Sequence, residues 1–156
     1  MKILYICTHN RCRSILSEAI TNHLGDSRII AKSAGCQPAG EVHPLSVKYL
    51  AAASISIAGL ASQSWDEFES FKPDIVITVC DSAAKETCPI WFGTSLKMHW
   101  GLSDPSKLNG SEVELAAAFS QTITEISMRV TQLLAINIDT RNKAALRAAL
   151  EKLGAK

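Results

Sequence analysis

No stretch of this 156-residue chain is apolar enough to cross a bilayer. The most apolar window, Leu50 to Ala61, is interrupted by Ser54, Ser56 and Gly59 and falls well short of the ~20 residues a spanning helix needs. A basic start followed by a long apolar stretch and a small-residue cleavage site is also missing, so no secretory leader is expected. Charge of one sign is not in excess: sixteen Lys and Arg against fifteen Asp and Glu leave +1. A field that weak does not gather a polyanion such as DNA, although a local basic pocket is compatible with it. No two histidines stand at metal-ligand spacing, and repeats, low-complexity tracts and linkers are lacking. The expectation is a cytoplasmic protein with neither nucleic acid nor membrane as partner. Thiols stay reduced in that compartment, so the five cysteines, an odd number, do not read as a disulfide framework.

What is present suits one globular domain over residues 1–156. Hydrophobic residues make up 47% and charged residues 20%, and a chain this long buries roughly 68–70% of its unfolded surface. Strand and helix signals alternate. Lys2 to Cys7 is a short apolar run of the buried parallel-strand type. Ser14 to Leu24 carries apolar residues at helical period and stops at Gly25. Arg28 to Ser33 reads as a second strand ending at Gly35. A helix opens at His43-Pro44 and runs to about Ala53, with proline in the first turn. Ser64 to Phe71 reads as a short helix with Ser64 and Glu67 as a capping box, closed by Pro73. Asp74 to Cys80 is the clearest strand, β-branched throughout, and Ser95 to Trp100 is a weaker one. Ser111 to Ile136 predicts a long amphipathic helix, and Thr140 to Leu153 a last, cationic helix that extends the domain at its C-terminus. This order implies an α/β fold, a three-layer sandwich around a central four-stranded parallel sheet.

Ligands of such sheets bind beyond the carboxyl ends of the strands, where loops feed helix N-termini. The first such loop is Cys7-Thr8-His9-Asn10-Arg11-Cys12-Arg13-Ser14. A loop of this length can wrap a tetrahedral oxyanion with backbone N–H groups, while Arg13 grips two of its oxygens with a planar fork. The same donors are expected to lower the pKa of Cys7 and make it a nucleophile beneath the bound anion, with Ser14 donating to its sulfur. Thr8, His9, Asn10, Arg11, Cys12 and Arg13 are the candidate substrate-binding residues. Downstream, Gly101-Leu102-Ser103-Asp104-Pro105 carries an Asp-Pro pair, by itself a common turn.

Cys7 to Ser14 resembles the signature loop of the low-molecular-weight tyrosine phosphatases and of the arsenate reductases built on the same fold. Ser33-Ala34-Gly35, the strand Asp74 to Cys80 and Asp104-Pro105 fall where that family has them, and the likeness runs through nearly the whole chain. It departs at His9, where glycine is common, and at Arg11, often a small hydroxyl residue. Cys80 and Cys88, in Cys-Asp-Ser-Ala-Ala-Lys-Glu-Thr-Cys-Pro, resemble the redox segment of the thioredoxin-coupled reductases. The resemblance implies an enzyme that reduces arsenate to arsenite, a detoxifying reaction, with Asp104 as the general acid that lets the departing oxygen leave as hydroxyl or water. Cys7, Cys80 and Cys88 would pass a disulfide in turn, thioredoxin would restore the thiols, and phosphate or sulfate would compete as anions. The alternative is a phosphatase that hydrolyses phosphomonoesters through a phosphocysteine. A non-enzyme reading is a zinc site of Cys7, Cys12, Cys80 and Cys88. No tightly bound cofactor is implied; a potassium site in some reductases would correspond to Asn10, Glu18, Ser33, Ser64 and Asp66. Eight residues of helix span ~12 Å, too far for a disulfide, so a Cys80–Cys88 bond requires the segment between them to unwind. That segment is expected to be helical when reduced and rearranged when oxidised.

Overall fold

The computed structural model describes residues 1–25, 29–81, 95–136 and 143–154. Strands β1 (Lys2–Cys7), β2 (Ile30–Gly35), β3 (Ile75–Thr78) and β4 (Leu96–His99) form one sheet in the order β2-β1-β3-β4. All three pairings are parallel. The helices are α1 (Arg13–Leu24), α2 (Pro44–Ala52), α3 (Glu112–Leu134) and α4 (Lys143–Gly154), with 3-10 turns at Trp65–Phe71 and Pro105–Lys107. Helices flank the sheet, as the alternation of signals predicts.

The centre of the molecule is β1. Ile3, Leu4, Tyr5 and Ile6 are all fully buried in succession, which a strand manages only when both of its faces are covered. Helix α1 packs on β1 and β2 and against α3, bringing Ile15, Leu16 and Ile20 into the same core as Phe119, Ile126 and Val130. Tyr49 of α2 stacks on Phe119 at 4.8 Å. In this core the Tyr5 hydroxyl meets Thr21 Oγ1 at 2.7 Å. The capping box expected at Ser111 and Glu114 opens α3.

Boundaries differ from expectation in instructive ways. Trp65–Phe71 carries the expected capping box at Ser64 and Glu67, but it is a 3-10 turn rather than an α-helix. Pro73 bars Lys72 from the α region, and Lys72 ends the turn at φ +50°. Strand β2 lies two residues later than the apolar run suggests, which sets Gly35 opposite Cys7. Strand β3 ends at Thr78, not Cys80. Val79 still donates to Ile6 (2.9 Å), but its carbonyl receives Leu102 (3.2 Å), so the chain turns off the sheet and leaves Cys80 on the rim. Helix α1 begins at Arg13, one residue early. Residues 140–142 of the predicted last helix lie outside the described residues.

Candidate active site

The loop from Cys7 to Arg13 joins the carboxyl end of β1 to the first turn of α1. Its carbonyls face outward. Thr8 accepts from Gln37 N–H (2.9 Å), His9 from Ala39 N–H (3.0 Å), and Arg11 from His43 N–H (3.1 Å). In a trans peptide the N–H points opposite to the carbonyl, so the amides of His9, Asn10 and Cys12 are turned to the loop's inner side. Asn10 at φ +49° is the left-handed residue that such an anion-binding nest needs. The loop lies tight on β2. A Cβ on Gly35 would stand 2.6 Å from the Thr8 carbonyl oxygen and 2.9 Å from that of Cys7, so only glycine fits there.

Asn10 is fully buried, and its side chain braces the loop from behind. Its Nδ2 donates to Ser14 Oγ (2.8 Å) and Ser33 Oγ (3.0 Å), and its Oδ1 accepts from Gln63 N–H (2.8 Å). Ser33 in turn donates to Glu18 Oε1 at 2.6 Å. Burial raises the pKa of Glu18, against the hydrogen bond from Ser33 and the charge of Lys32. Asn10, a candidate substrate contact from sequence, has its side chain engaged behind the loop and is not among the residues that line the cavity.

The inner side of the loop opens into a cavity of about 200 Å³ whose walls include Cys7, Arg13, Asp104, Ser106 and Lys107. Arg13 donates from one terminal nitrogen to the Leu102 carbonyl (3.1 Å). The other terminal nitrogen stands 3.5 Å from Asp104 Oδ2. Its Nε is buried without a partner among the described residues, a donor waiting for an acceptor. Asp104 is itself held by Ser106, whose N–H (3.0 Å) and hydroxyl (2.6 Å) both donate to Oδ1. Anion cradle, guanidinium and carboxyl therefore share one opening.

Cys7 lines this cavity, and the Cys80 sulfur lies beside it. Cys7 and Cys80 are both buried and hydrogen-bond with each other; Thr8 Oγ1 lies 3.5 Å from the Cys80 sulfur. This overturns the expectation of a lowered Cys7 pKa. The hydrogen bond with Cys80 and then burial push it well above the ordinary thiol value, and the charge of Arg13 and the His9 N–H pull the other way without prevailing. Ser14 takes a hydrogen bond from Asn10, which leaves its own hydrogen to donate. Cys12 is buried at the edge of the cavity, its pKa pushed up to about 11 chiefly by desolvation, with Ser46 and Ser106 as partners. Cys88 lies outside the described residues, as does the expected helix following Cys80.

Three groups escaped the sequence reading. His43, which caps α2, also lines the cavity. Ser106 holds the carboxyl of Asp104. At the rim beside Cys80, the His99 ring bridges Thr78 Oγ1 (2.8 Å) and Asp81 Oδ1 (2.9 Å). For His43 and His99 the signal is the folding together of distant segments, which no local pattern carries, whereas Ser106 lies two residues from Asp104 in a local Asp-Pro-Ser cap. Of the residues matched to a potassium site, Asn10, Ser33 and Glu18 are joined by hydrogen bonds. Ser64 Oγ accepts from Asp66 N–H instead. Asn10 directs its amide nitrogen to Ser33 and its oxygen to Gln63 N–H, beside Ser64. Among the described residues no cluster of His, Cys, Asp and Glu could hold a metal, and no helix is long and apolar enough to cross a membrane.

Comparison with known proteins agrees with this geometry. Residues 2–149 match the family described as low molecular weight phosphotyrosine protein phosphatase. An arsenate reductase of Bacillus licheniformis is 36% identical over 129 residues, 82% of this chain and 91% of its own. A solved arsenate reductase in the phosphate-binding state superposes with a TM-score of 0.72 at 26% identity, over 86% of this chain and 96% of the other. The thioredoxin-dependent arsenate reductase of Corynebacterium glutamicum gives 0.65 at 26% identity, over 85% of this chain and 59% of its own.

Proposed function

The chain belongs to the low molecular weight phosphotyrosine protein phosphatase family, and on that premise we propose that it is an arsenate reductase whose thiols are restored by thioredoxin. The observation that carries this reading is the Cys80 sulfur hydrogen-bonded to Cys7, the thiol that lines the oxyanion cradle. A phosphatase has no use for a second thiol there.

Arsenate seats in the loop, held by the inward amides and by Arg13. Its charge takes over the guanidinium from Asp104, which protonates the departing oxygen. Cys7 attacks arsenic as the thiolate, an As–S bond forms and water leaves. Cys80, already in contact, then attacks the Cys7 sulfur as a thiolate. The As–S electron pair passes to arsenic, As(V) becomes As(III), and arsenite departs, leaving a Cys7–Cys80 disulfide. Attack by Cys88 on Cys80 frees Cys7 and moves the disulfide outward, where a dithiol of the thioredoxin type reduces it with two electrons. The raised pKa of Cys7 fits a pair that shares protons: one sulfur is charged at a time, first Cys7 for attack on arsenic and later Cys80.

The test is arsenate-dependent NADPH oxidation with thioredoxin and thioredoxin reductase, beside a glutaredoxin and glutathione control. Turnover with the first pair alone supports the assignment. No arsenate-dependent oxidation with either, together with efficient hydrolysis of p-nitrophenyl phosphate, would return the chain to the phosphatase alternative.

A further inference from the structure

Arg13 accounts for only part of the positive charge at this site. Arg11, His43 and Lys107 line the same cavity, facing the single carboxylate of Asp104. The Arg11 Nε is buried and has no hydrogen-bond partner among the described residues. A buried donor left so costs roughly 1–3 kcal/mol, and the matching state of Arg13 Nε is the mark of a group built to meet an anion. The main chain of Arg11 has a separate task, its carbonyl receiving His43 N–H at 3.1 Å and Ser46 Oγ at 3.2 Å. The side chain's direction is therefore free to serve the cavity.

His43 adds a donor of fixed orientation. Its Nδ1 accepts from Leu45 N–H at 3.1 Å as the cap of α2, so in the neutral ring the hydrogen sits on Nε2. Burial and the charge of Arg11 both lower its pKa, against the opposing pull of Asp104, and so favour that neutral, directional form.

One tetrahedral anion does not use all of this. The loop amides and the Arg13 fork already serve its oxygens. The cavity's volume of about 200 Å³ is several times the ~30 Å³ a water occupies in the liquid. We propose that Arg11 and the Nε2–H of His43 form a second anion subsite at the mouth, so that the site also takes ligands of the diphosphate type, two tetrahedral anionic groups joined through one bridging atom. This deepens the reading of the loop as an oxyanion cradle and rests on it.

The experiment is calorimetric titration of the reduced protein, at fixed ionic strength, with inorganic phosphate and with methylenediphosphonate, which cannot be hydrolysed. The wild type binds the diphosphonate at least tenfold more tightly than phosphate, about 1.4 kcal/mol. Arg11→Gln brings that ratio below threefold, His43→Gln lowers it by a smaller factor, and Arg11→Lys does not restore it. A ratio unchanged in Arg11→Gln overturns the subsite, as does full restoration by Arg11→Lys, since charge without a directed N–H would then suffice. Phosphate binding with no preference for the diphosphonate in the wild type also overturns the subsite and leaves the cradle standing. Absence of phosphate binding in the wild type overturns both.

Discussion

Replacing Gly35 with alanine drives a methyl group into the back of the anion loop. The new Cβ would stand 2.6 Å from the Thr8 oxygen, 2.9 Å from the Cys7 oxygen and 3.1 Å from the Asn10 nitrogen. All three are main-chain atoms, so no flexible side chain can swing aside. Ordinary contact begins near 3.4 Å, so loop and strand must separate by roughly 0.8 Å to restore a normal van der Waals distance. Strand β2 cannot give easily, being laddered to β1 with Gly35 opposite Cys7 and tied through its N–H to the Gln63 carbonyl at 2.8 Å. The loop moves instead, and with it the inward amides and the Cys7 sulfur. Overpacking costs about 1–3 kcal/mol, of which alanine's stiffer unfolded chain offsets about 0.4–1 kcal/mol. A net loss of about 0–2.6 kcal/mol leaves the protein folded. Catalysis suffers more, because a misplacement near 1 Å costs about 10²-fold. The assay pairs a urea denaturation midpoint with arsenate-dependent NADPH oxidation and a phosphate dissociation constant. A Gly35→Ala protein with wild-type turnover and phosphate affinity would refute the reasoning, since the loop would then not be held against this glycine.

Further outcomes follow from the same contacts. Asn10→Ala breaks three buried hydrogen bonds and places alanine at positive φ, for a loss of about 2–4 kcal/mol in thermal or urea unfolding. Cys80→Ala removes the largest cause raising the Cys7 pKa, so the pH midpoint of Cys7 alkylation by iodoacetamide shifts downward while multiple turnover is lost; an unmoved midpoint contradicts the sulfur pairing. Asp104→Asn keeps phosphate binding but cuts turnover by about 10²–10⁴, the usual worth of a general acid. Glu18 has a pKa raised by folding, so its protonated form is the one that favours the native state. That contribution is complete below its ordinary value near 4.5 and is lost as pH climbs through the folded pKa. Glu18→Gln therefore matches the wild type in urea midpoint near pH 4 and exceeds it near pH 7, whereas parallel pH profiles would show that this carboxyl is not desolvated.

The parts legible in the sequence were those written locally. The run Lys2 to Cys7 declares a strand, the spacing from Cys7 to Arg13 declares an anion loop, and Ser111 with Glu114 declares a helix start. None of these needs a distant neighbour. Asp104 was legible only through its resemblance to a known pattern, because nothing nearby says that it will come to lie 3.5 Å from Arg13. The Cys7 pKa was misjudged for the same reason. Its loop donors are local, but the sulfur that overrides them arrives on the segment that follows β3, the strand beside β1. His43 was passed over because a histidine before proline at a helix start has a sufficient local task, and its second task exists only once Arg11 and Asp104 converge on it.

The outward carbonyls of residues 8, 9 and 11 carry one more implication. Since the bowl's peptide groups are anchored through their own carbonyls to neighbouring segments, the side chains at positions 9 and 11 are not its principal supports. They can be exchanged as one changes the fittings round a doorway while leaving the room untouched. A single frame of this kind can serve a lineage whose members greet quite different visitors, and His9 and Arg11 are this chain's choice of fittings.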